Sequence, residues 1–153
     1  MSYLWAPESL IHADRDPIRD GLNAYGLGSD SGAYQLLIRF GPGRELRVGA
    51  LGIIAFPPGF YVYTGRASRG LLARLKRHLR REKTLRWHVD YLLAEAEVSL
   101  VRLFPGGAER ECDINADTAG ADGYPFPIRG FGSSDCSCPS HLVWLGNPDQ
   151  YEV

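Results

Sequence analysis

"FYVYTGRASRGLLARLKRHL", Phe60–Leu79, holds the change of period that decides the fold. Its first part, Phe60–Gly65, is aromatic and β-branched and reads as a buried strand closed by a glycine. Side chains alternate along a strand, so Tyr61 and Tyr63 share a face. From Gly70 the period lengthens. Leu71, Leu75 and Leu79 recur every four residues with Leu72 beside them, which predicts an amphipathic helix. Arg74, His78 and Arg81 follow at i, i+4 and i+7, placing them along the edge of the leucine stripe. Lys76 and Arg80 point away from it, and the helix frays near Arg81–Lys83. A strand therefore hands over to a basic helix within a few residues.

Working outward, "AYQLLIRF" (Ala33–Phe40) predicts a buried strand, and "LRVGALGIIAF" predicts short strands broken by glycine, a hairpin. Beyond the basic helix, "TLRWHVDYLLAEA" (Thr84–Ala96) predicts a second helix with Thr84 as cap, its Trp87 and Tyr91 facing inward. "EVSLVRLF" (Glu97–Phe104) alternates as a strand, Ala108–Ala119 reads as a helix, and His141–Leu145 as a last short strand. "GADGYPFPIRGFGSSDCSCPS" is loop by composition. Residues 1–31 read as an irregular N-terminal extension, and 32–153 as one domain. The order β-β-α-α-β-α plus a C-terminal strand indicates an α+β protein, with a small mixed or antiparallel sheet flanked by helices.

The chain has 153 residues, 44% hydrophobic and 23% charged, which suits a globular domain with a real core. No apolar run approaches the roughly 20 residues that span a bilayer. The start lacks a basic segment followed by an apolar one, so a cytoplasmic location is the expectation. The net charge of −1 argues against a general nucleic-acid binder, but the charge is segregated. Arg66–Arg86 carries nine Lys or Arg against one acidic residue, Glu82; the remainder carries eight basic and 17 acidic residues. Such segregation makes a local field that the total hides. Fifteen of the 17 basic residues are Arg, whose planar fork suits phosphate, although a GC-rich genome gives the same bias.

The tyrosines Tyr34, Tyr61 and Tyr63 read individually as core aromatics, and Arg74 as part of a solvated helix face. Their sequel shifts that reading, because Gly65 permits close backbone approach and Arg74 and His78 follow on the helix. Three cysteines without a secretion signal fit reduced thiols or metal ligands better than disulfides. "CSCPSH" sets Cys136, Cys138 and His141 together, and Cys112 lies upstream beside Glu111; a Cys₃His zinc site is open to these four, as is packing of reduced thiols.

The constellation resembles the GIY-YIG nuclease superfamily. Gly32-Ala33-Tyr34 stands for its first signature segment and Tyr63-Thr64-Gly65 for its second, each with a replaced middle residue. "ARLKRH" supplies Arg74 and His78 for the helix that follows, and "ERECD" supplies Glu111, with Glu109 as competitor. "FPPGFYVYTGRA", "RWHVDYLL", "EREC" and "GFGSSDCSCPSHL" are similar to one small branch, sometimes fused to base-excision endonucleases. The resemblance implies a metal-dependent endonuclease hydrolysing DNA, and a base-excision repair enzyme as a candidate partner. It implies Tyr34, Tyr63, Arg74, His78 and Glu111 as catalytic residues, with Mg²⁺ or Mn²⁺ on Glu111. DNA contacts are expected from Gly65, Arg66, Arg69, Arg77, Arg81, Arg86 and His88. The late Asn of many family members has no clear counterpart; Ser133 or Ser134 stands in its region. Two further readings remain beside the enzyme: a non-catalytic nucleic-acid-binding module of the same fold, and a zinc-stabilised interaction domain.

Overall fold

The computed structural model describes residues 4–7, 31–122 and 128–147. Seven strands occur among them: β1 (Leu4–Pro7), β2 (Gly32–Phe40), β3 (Arg44–Arg47), β4 (Ile53–Phe56), β5 (Gly59–Ala67), β6 (Glu97–Pro105) and β7 (Leu142–Gly146). Three α-helices accompany them: α1 (Leu71–Leu79), α2 (His88–Leu93) and α3 (Glu111–Asp122). Five strands form one sheet in the order β1-β6-β2-β5-β7, and β3 and β4 pair separately as the expected hairpin. Every pairing is antiparallel, so the fold is α+β with no parallel pair among the described residues.

The long strands β2 and β5 pair over their full length, with Tyr34 opposite Gly65 and Leu36 opposite Tyr63. Alternation then sorts the faces. Tyr34, Leu36, Ile38 and Phe40 join Tyr61 and Tyr63 in the main core, against the leucines of α1 and the buried face of α2. On the opposite face, Ala33 and Phe104 pack against Ile114 of α3. Gln35, also buried, donates to Thr64 and Thr118 and accepts from Arg102, so this face is joined by polar bonds as well. Burial of the leucine stripe is what holds α1, a helix of nine residues being too short to persist alone.

Three expectations change. Leu4–Pro7, read as part of an irregular lead-in, is an edge strand on β6, while residues 8–30 lie outside the described residues. The second helix starts at His88, not Thr84. The N-cap is Trp87, and Asp90 at the third helical position closes a capping box, its carboxylate accepting the backbone N–H groups of Arg86 and Trp87 at 2.9 Å each. A carboxylate three residues into the helix satisfies donors that a threonine cap would otherwise take. Finally α1 ends at Leu79, with Arg80 extended, so Arg81 leaves the line of Arg74 and His78 and donates to the Ala96 carbonyl. Lys83 stops the helix by donating to the carbonyls of Arg77 and His78.

Among the described residues no helix is long and apolar enough to cross a membrane.

Candidate functional site

The β2–β5 register sets the first part of the site. Tyr34 lies across from Gly65, and its ring folds over that glycine. A Cβ at Gly65 would lie 2.5 Å from the Tyr34 hydroxyl oxygen and 2.6 Å from Cζ. Gly65 is therefore required by the ring, not by the substrate contact expected of it. Gly65→Ala is expected to destabilise the protein by about 1–3 kcal/mol, because the blocked atoms belong to a fully packed ring. Urea unfolding checks it, and an unchanged midpoint would mean that the ring moves freely.

The Tyr34 hydroxyl lies 2.6 Å from His78 Nε2. His78 is 2% exposed, so it belongs to the core and not to the helix edge that its spacing suggested. Leu75 and Leu79 flank it on α1, and Tyr34, Tyr63 and Trp87 surround the ring. Burial lowers the His78 pKa to about 3, with Lys83 adding to the effect. The ring is thus neutral at ordinary pH. Burial also pushes the Tyr34 phenol well above its usual value, with Tyr63 adding to it and Arg74 opposing. Tyr63 is raised likewise, first by burial and then by Glu111. His78 Nδ1 is buried with no hydrogen-bond partner among the described residues, which costs about 1–3 kcal/mol.

A cleft of about 370 Å³ opens in front of this pair. Tyr34 and Tyr63 form its floor, with Arg74 from α1 and Glu111 from the first turn of α3 at its sides. Four residues from four separate elements meet there. Arg74 is held by the Arg66 carbonyl at 2.8 Å and lies 4.7 Å over the Trp87 ring. Burial raises the Glu111 carboxyl to about 7, against the pull of Arg66 and with a further push from Asp135. Arg66 stands near both carboxylates, 4.0 Å from Glu111 and 3.8 Å from Asp135.

Of the expected DNA contacts, Arg66, Arg86 and His88 line the cleft. Arg69, Arg77 and Arg81 do not. Arg69 sits exposed on the turn before α1. Arg77 is spent inside the protein, making a two-pronged pair with buried Asp90 at 2.9 Å per bond and stacking 4.2 Å over Trp87. A guanidinium that serves a buried carboxylate is not free for phosphate, and the charge run gave no sign of it because Asp90 is 13 residues away. Despite burial, Arg77 and the two backbone donors hold the Asp90 carboxyl below its usual range.

The sequence reading missed the loop side of the cleft. Gly132 and Asp135 contribute to it, as does Ser134, one of the two serines noted, while Trp87 lines the cleft from the start of α2. Ser134 reaches the cleft, whereas Ser133 is buried with its hydroxyl unpartnered. The "GFGSSD" stretch was the only signal, and loop residues carry no periodicity that tells inside from outside. Phe131, fully buried against Tyr63 and Phe56, pins this loop to the core. Asn115 ties it to α3 by donating to the Ser140 carbonyl at 2.7 Å.

Cys112, Cys136, Cys138 and His141 converge behind the cleft, their ligand atoms all within 4.8 Å of one another. The His141 Nδ1–H donates to the Thr64 carbonyl at 3.0 Å, which leaves Nε2 facing the thiols, 3.3 Å from Cys136 Sγ and 3.8 Å from Cys112 Sγ. Ligands at zinc bond lengths around a tetrahedron lie about 3.5–3.8 Å apart, so a small inward shift of the side chains would suit a metal. Burial raises the Cys112 thiol, and burial with the neighbouring thiols raises Cys138 to about 12. Three crowded sulfurs cannot all ionise unaided, and a cation would relieve that. The cluster can hold a metal.

Neither the curated proteins nor the solved structures include a match to the chain. The family comparison does find one: residues 33–152 match the family described as "Domain of unknown function DUF123", and the chain belongs to that family.

Proposed function

We propose that the protein is a metal-dependent endonuclease of GIY-YIG type that hydrolyses DNA phosphodiester bonds. The observation that carries this reading is the convergence of Tyr34, Tyr63, Arg74 and Glu111 on one cleft. Phosphodiester hydrolysis needs a water stripped of a proton, neutralised phosphoryl oxygens and a stabilised leaving oxygen. Arg74 serves the second need, since its fork stays charged and grips two oxygens. Glu111 fits a hard divalent ion, because its carboxylate is largely buried and lies near the second negative charge of Asp135. Mg²⁺ or Mn²⁺ bound there supplies positive charge to the leaving oxygen and the phosphate.

The proton path follows from the Tyr34–His78 pair. The water oxygen attacks phosphorus while its proton passes to the Tyr34 oxygen. The hydroxyl's own proton passes to His78 Nε2, 2.6 Å away. The P–O bond to the leaving oxygen breaks, and that oxygen takes a proton from solvent. His78 is unprotonated beforehand, and burial with Lys83 outweighs the help of Asp90 in opposing the charge it gains, so it holds the proton only in passing. Tyr63 keeps its own proton and can hold the water or a phosphate oxygen by hydrogen bonding.

On the same reading, Cys112, Cys136, Cys138 and His141 hold a structural Zn²⁺. The Cys₃His donor set and the Nδ1–H bond of His141 to Thr64 support it. This zinc would set Glu111, next to Cys112, relative to Thr64, between Tyr63 and Gly65.

The test is cleavage of branched, nicked and single-stranded DNA with Mg²⁺ or Mn²⁺, comparing wild type with Glu111→Ala. Metal-dependent cutting by wild type, lost in the variant, is expected. Binding without cutting would favour a non-catalytic module.

A further inference from the structure

His88 opens α2 and lines the cleft between Arg86 and the loop. Its ring packs against Phe131, with centroids 5.6 Å apart. Its Nδ1 accepts the backbone N–H of Gly132 at 2.9 Å. An acceptor nitrogen carries no proton, so the neutral ring must hold its proton on Nε2. Nε2 has no partner among the described residues, yet it is not a buried orphan, so it is open to the cleft. The clamp itself is tightly specified. Gly132 has φ +68°, and a Cβ there would lie 3.0 Å from the Tyr63 ring. Any larger residue would disturb both the left-handed turn and the floor of the cleft. The start of α2, clamped by the loop's Gly132 amide, thus presents an oriented imidazole N–H in the cleft that Arg74 and Arg86 also line.

We propose that His88 is a substrate-contacting residue, locked by the Gly132 amide as the Nε2–H tautomer, which donates a hydrogen bond to a DNA phosphate oxygen next to the one gripped by Arg74. This rests on the nuclease reading of the cleft. Burial lowers the His88 pKa, in keeping with a donor that carries no charge. The contact differs in kind from those of Arg66 and Arg86. A neutral donor fixes position and releases no counterion.

That difference makes the proposal testable. The wild-type imidazole tautomer is read by long-range ¹H–¹⁵N NMR, and binding of short fluorescein-labelled DNA is measured with Ca²⁺ in place of the catalytic ion. His88→Asn keeps an oxygen that can accept the Gly132 N–H but withdraws the donor. The expected results are an Nε2–H ring and a roughly tenfold to hundredfold loss of affinity in His88→Asn. The slope of log affinity against log salt should stay at the wild-type value. Arg86→Ala should instead lower that slope by about 0.7–0.9. His88→Gln, which reaches farther with an amide donor, should recover part of the affinity. An Nδ1–H ring, a slope lowered in His88→Asn, or equal binding by wild type and His88→Asn would overturn the proposal and leave the nuclease reading standing. Wild type that binds no DNA would overturn both.

Discussion

Arg74→Ala is expected to lower DNA cleavage by about 10²–10³-fold while leaving the protein folded. The loss comes from the transition state, where the phosphoryl oxygens gain charge that the guanidinium would otherwise meet. At rest, Arg74 donates to the Arg66 carbonyl, lies over the face of Trp87, which Arg77 also covers, and interacts with the Tyr34 hydroxyl at the cleft. Its removal therefore costs little stability, about 1 kcal/mol or less. Arg74→Lys keeps the charge and loses the fork, so its rate should fall between the two. Single-turnover cleavage with saturating enzyme isolates the chemical step, and thermal unfolding confirms the fold. Cleavage of wild-type rate in Arg74→Ala would remove the nuclease assignment from this cleft, whatever activity the preparation contained.

The second large effect concerns the Cys/His cluster. Purified protein is expected to carry about one zinc per chain, and Cys136→Ser or strong chelation should remove it. A ligand present at about a thousandfold over its Kd stabilises by roughly 4 kcal/mol. For a chain of this size, that amounts to a melting temperature lower by roughly 8–16 °C. The damage should reach the cleft. Thr64 and His141 exchange two bonds, the Thr64 N–H to the His141 carbonyl and His141 Nδ1–H to the Thr64 carbonyl. Cys112 adjoins Glu111 at the start of α3. Losing the metal frees both attachments, so cleavage should fall together with stability. The sign with pH follows from the thiols. Burial raises the Cys112 and Cys138 thiols, so protons should displace the metal as pH falls, and zinc release should come earlier than for isolated cysteines. Protein free of zinc, with Cys136→Ser melting like wild type, would mean that the four side chains only pack together.

Local order was plain in the residues themselves. The alternation of Tyr61 and Tyr63 and the four-residue spacing of Leu71, Leu75 and Leu79 set β5 and α1, because each buries one face with its own period. The signature tyrosines, Arg74 and Glu111 could likewise be singled out by their types and their order along the chain. The start of α2 was misjudged by four residues, because a threonine beside the basic run looks like a cap until a buried aspartate from within the helix takes the same donors.

Contacts between distant parts of the chain were another matter. Nothing in the charge run separated Arg74, which lines the cleft, from Arg77, held by Asp90; both are arginines on one short helix. Periodicity placed His78 at a boundary, and only packing under Trp87 and against Tyr34 made it a core residue. Gly65 looked like an opening for substrate, and the β2–β5 register showed that Tyr34 fills it. The sequence by itself determined the α+β class, the strand-to-helix handover and the candidate residues, because these depend on neighbours within a few positions. Which side chains meet, which are spent on each other and which face the cleft were decided by tertiary structure. Those outcomes depend on how strands register and faces pack across dozens of residues, and no local pattern encodes them.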